Sequence, residues 1–179
     1  MKAPVEPNAD LIAIVQPLIP ALRRYARALL RDRDDADDLV QDVLERAMTR
    51  WYQRHKVGSV RAWLFAILHN LAIDQLRRRM RHGASDPIEN VPEVALSIPP
   101  DQEAAVRRGD ILSLVSLLPE EQRSVLLLIG VEDLSYAEAA AVLDIPQGTV
   151  MSRLSRARER LRRMMDEAPG QSPALRIVK

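Results

Sequence analysis

The sequence predicts an all-α fold: two small helical domains joined by a flexible acidic linker, the C-terminal domain containing a helix-turn-helix. Three observations predict it. Aromatic content is 3%, so the core is built from Leu, Val, Ile and Ala rather than the β-branched and aromatic residues that favour strands. Apolar residues recur at spacings of three and four on both sides of residues 83–103. That middle stretch lacks a period, carries Pro87, Pro92, Pro99 and Pro100, and holds five acids with no Lys or Arg.

The first domain is expected over residues 9–82. Leu18, Leu22, Tyr25 and Leu29 form one apolar stripe, with Arg23, Arg24 and Arg27 on the other faces. Asp32 to Asp38 is an acidic turn into a second helix, with Asp34 or Asp35 as the candidate cap. Leu39, Val43, Ala47 and Met48 form its expected buried side. Gln53–Val60 breaks the period and reads as a loop. A third helix follows from about Arg61, with Trp63, Leu64, Ile67, Leu68, Leu71 and Leu76 inward. It ends in Arg77, Arg78, Arg79 and Arg81, which suit a helix C-terminus.

The second domain is expected over residues 104–166, followed by a disordered tail over 167–179. Pro119 fits the first turn of a helix running to Gly130, where its missing N–H costs little. Ser135-Tyr136-Ala137-Glu138 fits a capping box. The alanines of Ala139–Ala141 permit close approach of another helix. Asp144–Gly148 breaks and restarts the chain, with Ile145 expected to plug the angle between the helices. The last helix carries an inward stripe of Val150, Leu154, Ala157, Leu161 and Met164 or Met165. Thr149, Arg153, Arg156, Arg160 and Arg163 share a neighbouring face, with Ser152 beside it. Arg158 and Arg162 point away from that face. A tight turn followed by a polar, Arg-rich helix is the arrangement that major-groove readers use. Arg holds guanine bidentately or grips phosphate. A solvated charged face is the bland alternative.

Charge distribution supports two contacts with nucleic acid. Net charge is only +1. Yet residues 1–82 hold 15 Lys/Arg against 10 Asp/Glu, and residues 151–163 hold six Arg and one acid. The absence of cysteine excludes a disulfide framework, a Cys nucleophile and Cys-based metal sites. His55, His69 and His82 lack ligand spacing, so no metal or other cofactor is expected. No nucleophile, base and orienter set is visible, so no catalytic residues and no enzyme activity are expected. The longest apolar stretch, near Ser124–Val131, is far short of a membrane span. No signal peptide is visible at the start of the sequence, and a cytoplasmic location is expected.

The stretch from Leu134-Ser135-Tyr136-Ala137-Glu138 through Ile145-Pro146-Gln147-Gly148-Thr149-Val150 to Arg158 resembles the last domain of bacterial RNA polymerase sigma factors, the extracytoplasmic-function (ECF) class above all. Ala36-Asp37-Asp38-Leu39-Val40-Gln41-Asp42 resembles that family's polymerase-binding helix. Ala62-Trp63-Leu64-Phe65-Ala66-Ile67-Leu68-His69-Asn70, with Asp74 and Arg77–Arg79, resembles its promoter-melting region. Together the resemblance spans about residues 10–165.

The resemblance implies roles. Asp38, Leu39, Gln41 and Asp42 would bind the clamp of the largest subunit of core RNA polymerase. Asn70, Asp74, Arg77 and Arg78, with the loop Gln53–Val60, would hold the separated strand of the minus-ten element. A flipped base would sit in a pocket of that loop, and basic groups plus a pocket offset the cost of unstacking it. Thr149, Ser152, Arg153, Arg156 and Arg160 would contact the minus-thirty-five duplex. Trp63 reads as core rather than contact. An anti-sigma factor is a further implied partner, and the acidic linker would run toward the polymerase's RNA exit path. One position departs from the family: Met151 stands where relatives commonly carry Lys or Arg, which removes a phosphate or guanine contact. Two rival readings are a stand-alone helix-turn-helix regulator and a sigma-mimicking protein that sequesters a regulator. The first leaves Asp38-Leu39-Val40-Gln41 without a role.

Overall fold

The computed structural model describes residues 12–51, 59–81, 111 and 113–167. The expected linker 83–103, most of the loop Gln53–Val60, the tail beyond residue 167, His55 and His82 lie outside these residues. Every regular element among the described residues is helical.

A short 3-10 turn, Gln16–Leu18, leads into α1 (Ile19–Leu30), with Pro17 and Pro20 at first-turn positions where no donor is lost. Leu22, Tyr25 and Leu29 are buried as their spacing predicts, with Ala21, Ala26 and Leu30 beside them. The helix ends at Arg31, whose φ of 62° is left-handed and whose N–H donates to the Arg27 carbonyl.

Helix α2 (Arg33–Arg50) is capped by Asp32, which accepts the Asp35 N–H at 2.9 Å. The expected caps Asp34 and Asp35 instead lie inside the first turn, where their charge still suits the helix N-terminus. Ala36, Leu39, Val40, Val43 and Ala47 are buried. Met48 is not; it lies one residue, about 100°, past Ala47 and is half exposed.

Helix α3 (Val60–Arg81) begins where Ser59 Oγ accepts the Ala62 N–H at 3.2 Å. Its buried residues, Ala62, Leu64, Phe65, Leu68, His69, Leu71 and Ala72, cover about half the helix circumference. A surface helix needs only one stripe; α3 is covered more widely because α1 and α2 pack on one side and the second domain on another. Phe65 meets Tyr25 edge-to-face at 5.4 Å, and Trp63 meets Trp51 at 6.2 Å. Trp63 is half-buried.

In the second domain a helical turn at 113–116 precedes α4 (Glu120–Gly130), with Pro119 at its N-cap. Helix α5 (Tyr136–Leu143) opens on the expected capping box: Ser135 Oγ accepts the Glu138 N–H, and Glu138 accepts the Ser135 N–H at 3.0 Å. It closes at Asp144, left-handed at φ 50°. Ile145 then packs against the core in the turn. Helix α6 (Gln147–Glu167) buries Val150, Leu154 and Ala157, with Leu161 and Met164 partly covered. Of the two expected terminal methionines, Met165 faces solvent.

The two domains pack on each other. Helix α1 lies on α4, and α3 lies on α5, so one continuous apolar core runs through both. The alanines of α5 thereby serve a neighbour beyond the helix-turn-helix: Ala137 and Ala141 line a groove against Trp63 and Ala66 of α3.

Candidate nucleic-acid interface

Helix α6 projects from the helix-turn-helix with one side in the core and the rest free. Thr149 is half-buried near its start. Ser152 is exposed, its hydroxyl donating to the Thr149 carbonyl at 3.0 Å. Arg156 and Arg160 are exposed, and among the described residues neither has a carboxylate partner. They line a shallow basic groove with Ser155, Glu159, Arg163 and Gln122 of α4. Ser155 and Gln122 are additions to the sequence reading. Ser155 lies one residue before Arg156 on an open face, which helical spacing alone reveals, whereas Gln122 arrives only through the packing of α4 on α6.

Arg153 differs from its neighbours. Its side chain is 24% exposed and its Nη2 lies 2.9 Å from Glu121 Oε2 on α4. Its charge therefore has a carboxylate neighbour within the chain, one that is itself 62% exposed. Met151 is 56% exposed beside Ser152, so the departure from the family pattern sits on the open surface.

On α3, Asn70, Asp74, Arg77 and Arg78 are all exposed. Their spacing of four, seven and eight puts them on one stripe. The adjacent Arg79 instead reaches across to Asp35 of α2. His69, next to Asn70, points inward. Burial first, and then the charge of Arg77, lowers its pKa to about 4, so the ring is neutral at pH 7. Its Nδ1 is 3.1 Å from the Tyr25 hydroxyl, a pair whose donor depends on the ring tautomer. Burial raises the Tyr25 phenol, and the Ser124 hydroxyl of α4 opposes that rise from across the domain boundary.

On α2, Asp38, Gln41 and Asp42 are exposed along one stripe, and Gln41 Nε2 donates to Glu45 at 3.3 Å. Leu39, expected among them, is 4% exposed: it supports the helix from beneath and presents nothing to a partner. Asp37 is taken up by Arg23 and Arg27 of α1. The structure thus brings each set together on its own helix.

Glu132 had no assigned part in the sequence reading. It sits in the turn between α4 and α5 with a side chain 1% exposed, and Arg24 grips it with a two-pronged hydrogen bond of 2.8 Å at each oxygen. Arg61 donates to its carbonyl oxygen at 2.6 Å. Nearby, Ser59 Oγ donates to Glu138 Oε1 at 2.7 Å. That bond, with those from Ser135, holds the Glu138 carboxyl below its usual range. Arg31 and Arg123 both donate to the Ser116 carbonyl. Burial lowers the pKa of Arg123.

Residues 15–69 match the family described as the Sigma2 domain of PhyR, and residues 108–161 match Sigma-70, region 4. The ECF RNA polymerase sigma factor EcfG of Rhodopseudomonas palustris is 35% identical over 152 residues, 85% of this chain and 81% of the relative. The chain belongs to the ECF sigma factors. SigM of Mycobacterium tuberculosis, another ECF sigma factor, is 34% identical over 145 residues, 80% of this chain and 71% of the relative. Among solved structures, the sigma factor RpoE in complex with the anti-sigma factor NepR from Bartonella quintana superposes with a TM-score of 0.76 at 34% identity. The match covers 89% of this chain and 98% of RpoE. The protein is thus a sigma factor that directs RNA polymerase to promoters. Sigma factors are in general non-enzymatic initiation factors. Among the described residues no helix is long and apolar enough to cross a membrane, and no group of His, Cys, Asp and Glu is placed to hold a metal ion.

Proposed function

We propose that this ECF sigma factor engages polymerase through Asp38, Gln41 and Asp42, docks the minus-thirty-five duplex through α6, and captures the minus-ten strand along α3. The observation that carries this reading is the placement of three polar stripes on α2, α3 and α6, all facing solvent on separate helices. On α6 the contacting groups are Ser152, Arg156 and Arg160, with Thr149 at the edge and Arg153 held back by Glu121. On α3 they are Asn70, Asp74, Arg77 and Arg78. A well-made Arg–base contact contributes about 1–3 kcal/mol. Binding energy of this kind, without covalent chemistry by the chain, nucleates strand separation. The domains span residues 9–82 and 104–166, and the chain works in the cytoplasm, where polymerase and promoters are.

We further propose an anti-sigma factor as a regulatory partner, by analogy with RpoE and its complex with NepR. One observation favours a second reading: the first domain matches the family model of PhyR, so a sigma mimic that binds a regulator is the rival. A pull-down with core RNA polymerase, followed by transcription from a cognate promoter, separates the two. Retention on core and a promoter-dependent transcript support the sigma reading; failure to bind core sinks it.

A further inference from the structure

We propose that Glu132 is a latch that holds the two domains closed in the free chain, and that simultaneous contact with both promoter elements requires it to open. The proposal rests on the assignment of α3 and α6 to the minus-ten and minus-thirty-five elements.

A carboxylate is expensive to bury unless it is paired and hydrogen-bonded. Glu132 is 1% exposed on the side chain, and its partners, Arg24 and Arg61, both come from the first domain. Among the described residues no cation of its own domain pairs with it. Its burial therefore exists only while the domains are together. Other polar links cross the same boundary: Ser59 to Glu138, and Arg31 to the Ser116 carbonyl. Beside them runs a groove between Trp63 and Ala66 on one side and Ala137 and Ala141 on the other. Interfaces between domains of one chain are in general more polar than obligate ones and permit domain motion, and here the polar links stand beside the apolar contacts of α1 with α4 and of α3 with α5.

The closed arrangement is incompatible with the bound one. The two promoter elements, by the positions 35 and 10 in their names, lie roughly 25 base pairs apart, or about 85 Å of duplex at ~3.4 Å per pair. In the closed chain the first turn of α3 is hydrogen-bonded to the first turn of α5, with Ser59 Oγ 2.7 Å from Glu138 Oε1. One molecule in this form cannot reach both elements. The stripe on α2 and the Ser152, Arg156 and Arg160 face of α6 nonetheless stay open to solvent. Closure thus leaves each single contact available and blocks only their combination.

The test uses the full chain. The sequence has no cysteine, so Met48→Cys with Met165→Cys gives one dye pair on exposed positions of α2 and α6. Glu132→Gln removes the charge while keeping the shape. The expected result is lower energy transfer and a transcript yield, at limiting sigma, raised roughly tenfold. Retention on core polymerase and binding of a minus-thirty-five duplex stay unchanged. Arg24→Gln, altering a half-exposed side chain, gives the same direction and serves if Glu132→Gln fails to fold, as circular dichroism reports. Unchanged energy transfer in the folded variants overturns the latch, as does opening without a gain in transcript. If the unaltered protein yields no promoter-dependent transcript with core, the promoter assignment fails, and energy transfer alone then decides whether Glu132 holds the domains closed.

Discussion

Arg153 and Arg156 are three residues apart on α6, yet their surroundings predict different responses to truncation. Arg156 is exposed and has no carboxylate partner among the described residues; Arg153 is 24% exposed and meets Glu121 at 2.9 Å. A side chain that neutralises one phosphate contributes about 0.9 to the slope of log affinity against log salt. Between 50 and 200 mM salt that is about a 3.5-fold change per contact. Arg156→Ala is therefore expected to flatten the slope by about 0.9, and to weaken binding about 5- to 150-fold where the lost contact is to a base. Arg153→Ala should flatten the slope less, because Glu121 already offsets its charge. Glu121→Gln frees that charge and should steepen the slope. The assay is fluorescence anisotropy of holoenzyme on a minus-thirty-five duplex over a salt series. Equal slopes for Arg153→Ala and Arg156→Ala, or no response to Glu121→Gln, would refute the reasoning.

Other outcomes follow from the remaining surfaces. His69 has a folded-state pKa of about 4 against an ordinary 6.5, so the unfolded chain binds the extra proton. Its contribution is fully present above pH 6.5 and is lost as pH falls toward 4, by up to about 3 kcal/mol. Urea unfolding of His69→Asn should accordingly show a shallower loss of stability between pH 6.5 and 4 than the unaltered protein. Charge reversal at Asp38 and Asp42 should abolish retention on core polymerase in a pull-down while leaving duplex binding intact; persistence of core binding would remove α2 from the polymerase contact. Asn70→Ala is expected to lower open-complex formation, read by permanganate footprinting, with closed-complex affinity unchanged. Ser135→Ala should cost about 1 kcal/mol of stability in thermal denaturation, through loss of the capping box.

Much of the site was legible because helices have a short period. Val150, Leu154 and Ala157 facing inward force Ser152, Arg156 and Arg160 outward, and the same logic puts Asn70, Asp74, Arg77 and Arg78 on one stripe. The capping box at Ser135 involves residues three apart, so it too could be read locally. Errors came where one residue decides a face or a boundary. Asp32 rather than Asp34 or Asp35 caps α2, and Met48 is exposed because Val40 and Ala47 complete the buried side. The resemblance puts Leu39 on the polymerase face because it supplies a motif, not a direction in space; the helix turns it into the core.

The sequence by itself determined the helical class, the helix-turn-helix and the family, since each rests on residues within a few turns of one another. Only the tertiary structure decided that the two domains close. The Arg24–Glu132 pair joins residues 108 apart, and a single exposed-type Glu in a turn carries no local sign that it will be buried. Nor does the period of α6 reveal that Glu121 pairs with Arg153 rather than with Arg156. Pairings across such separations depend on how helices pack, and the periodicity of each helix, read alone, does not contain that information.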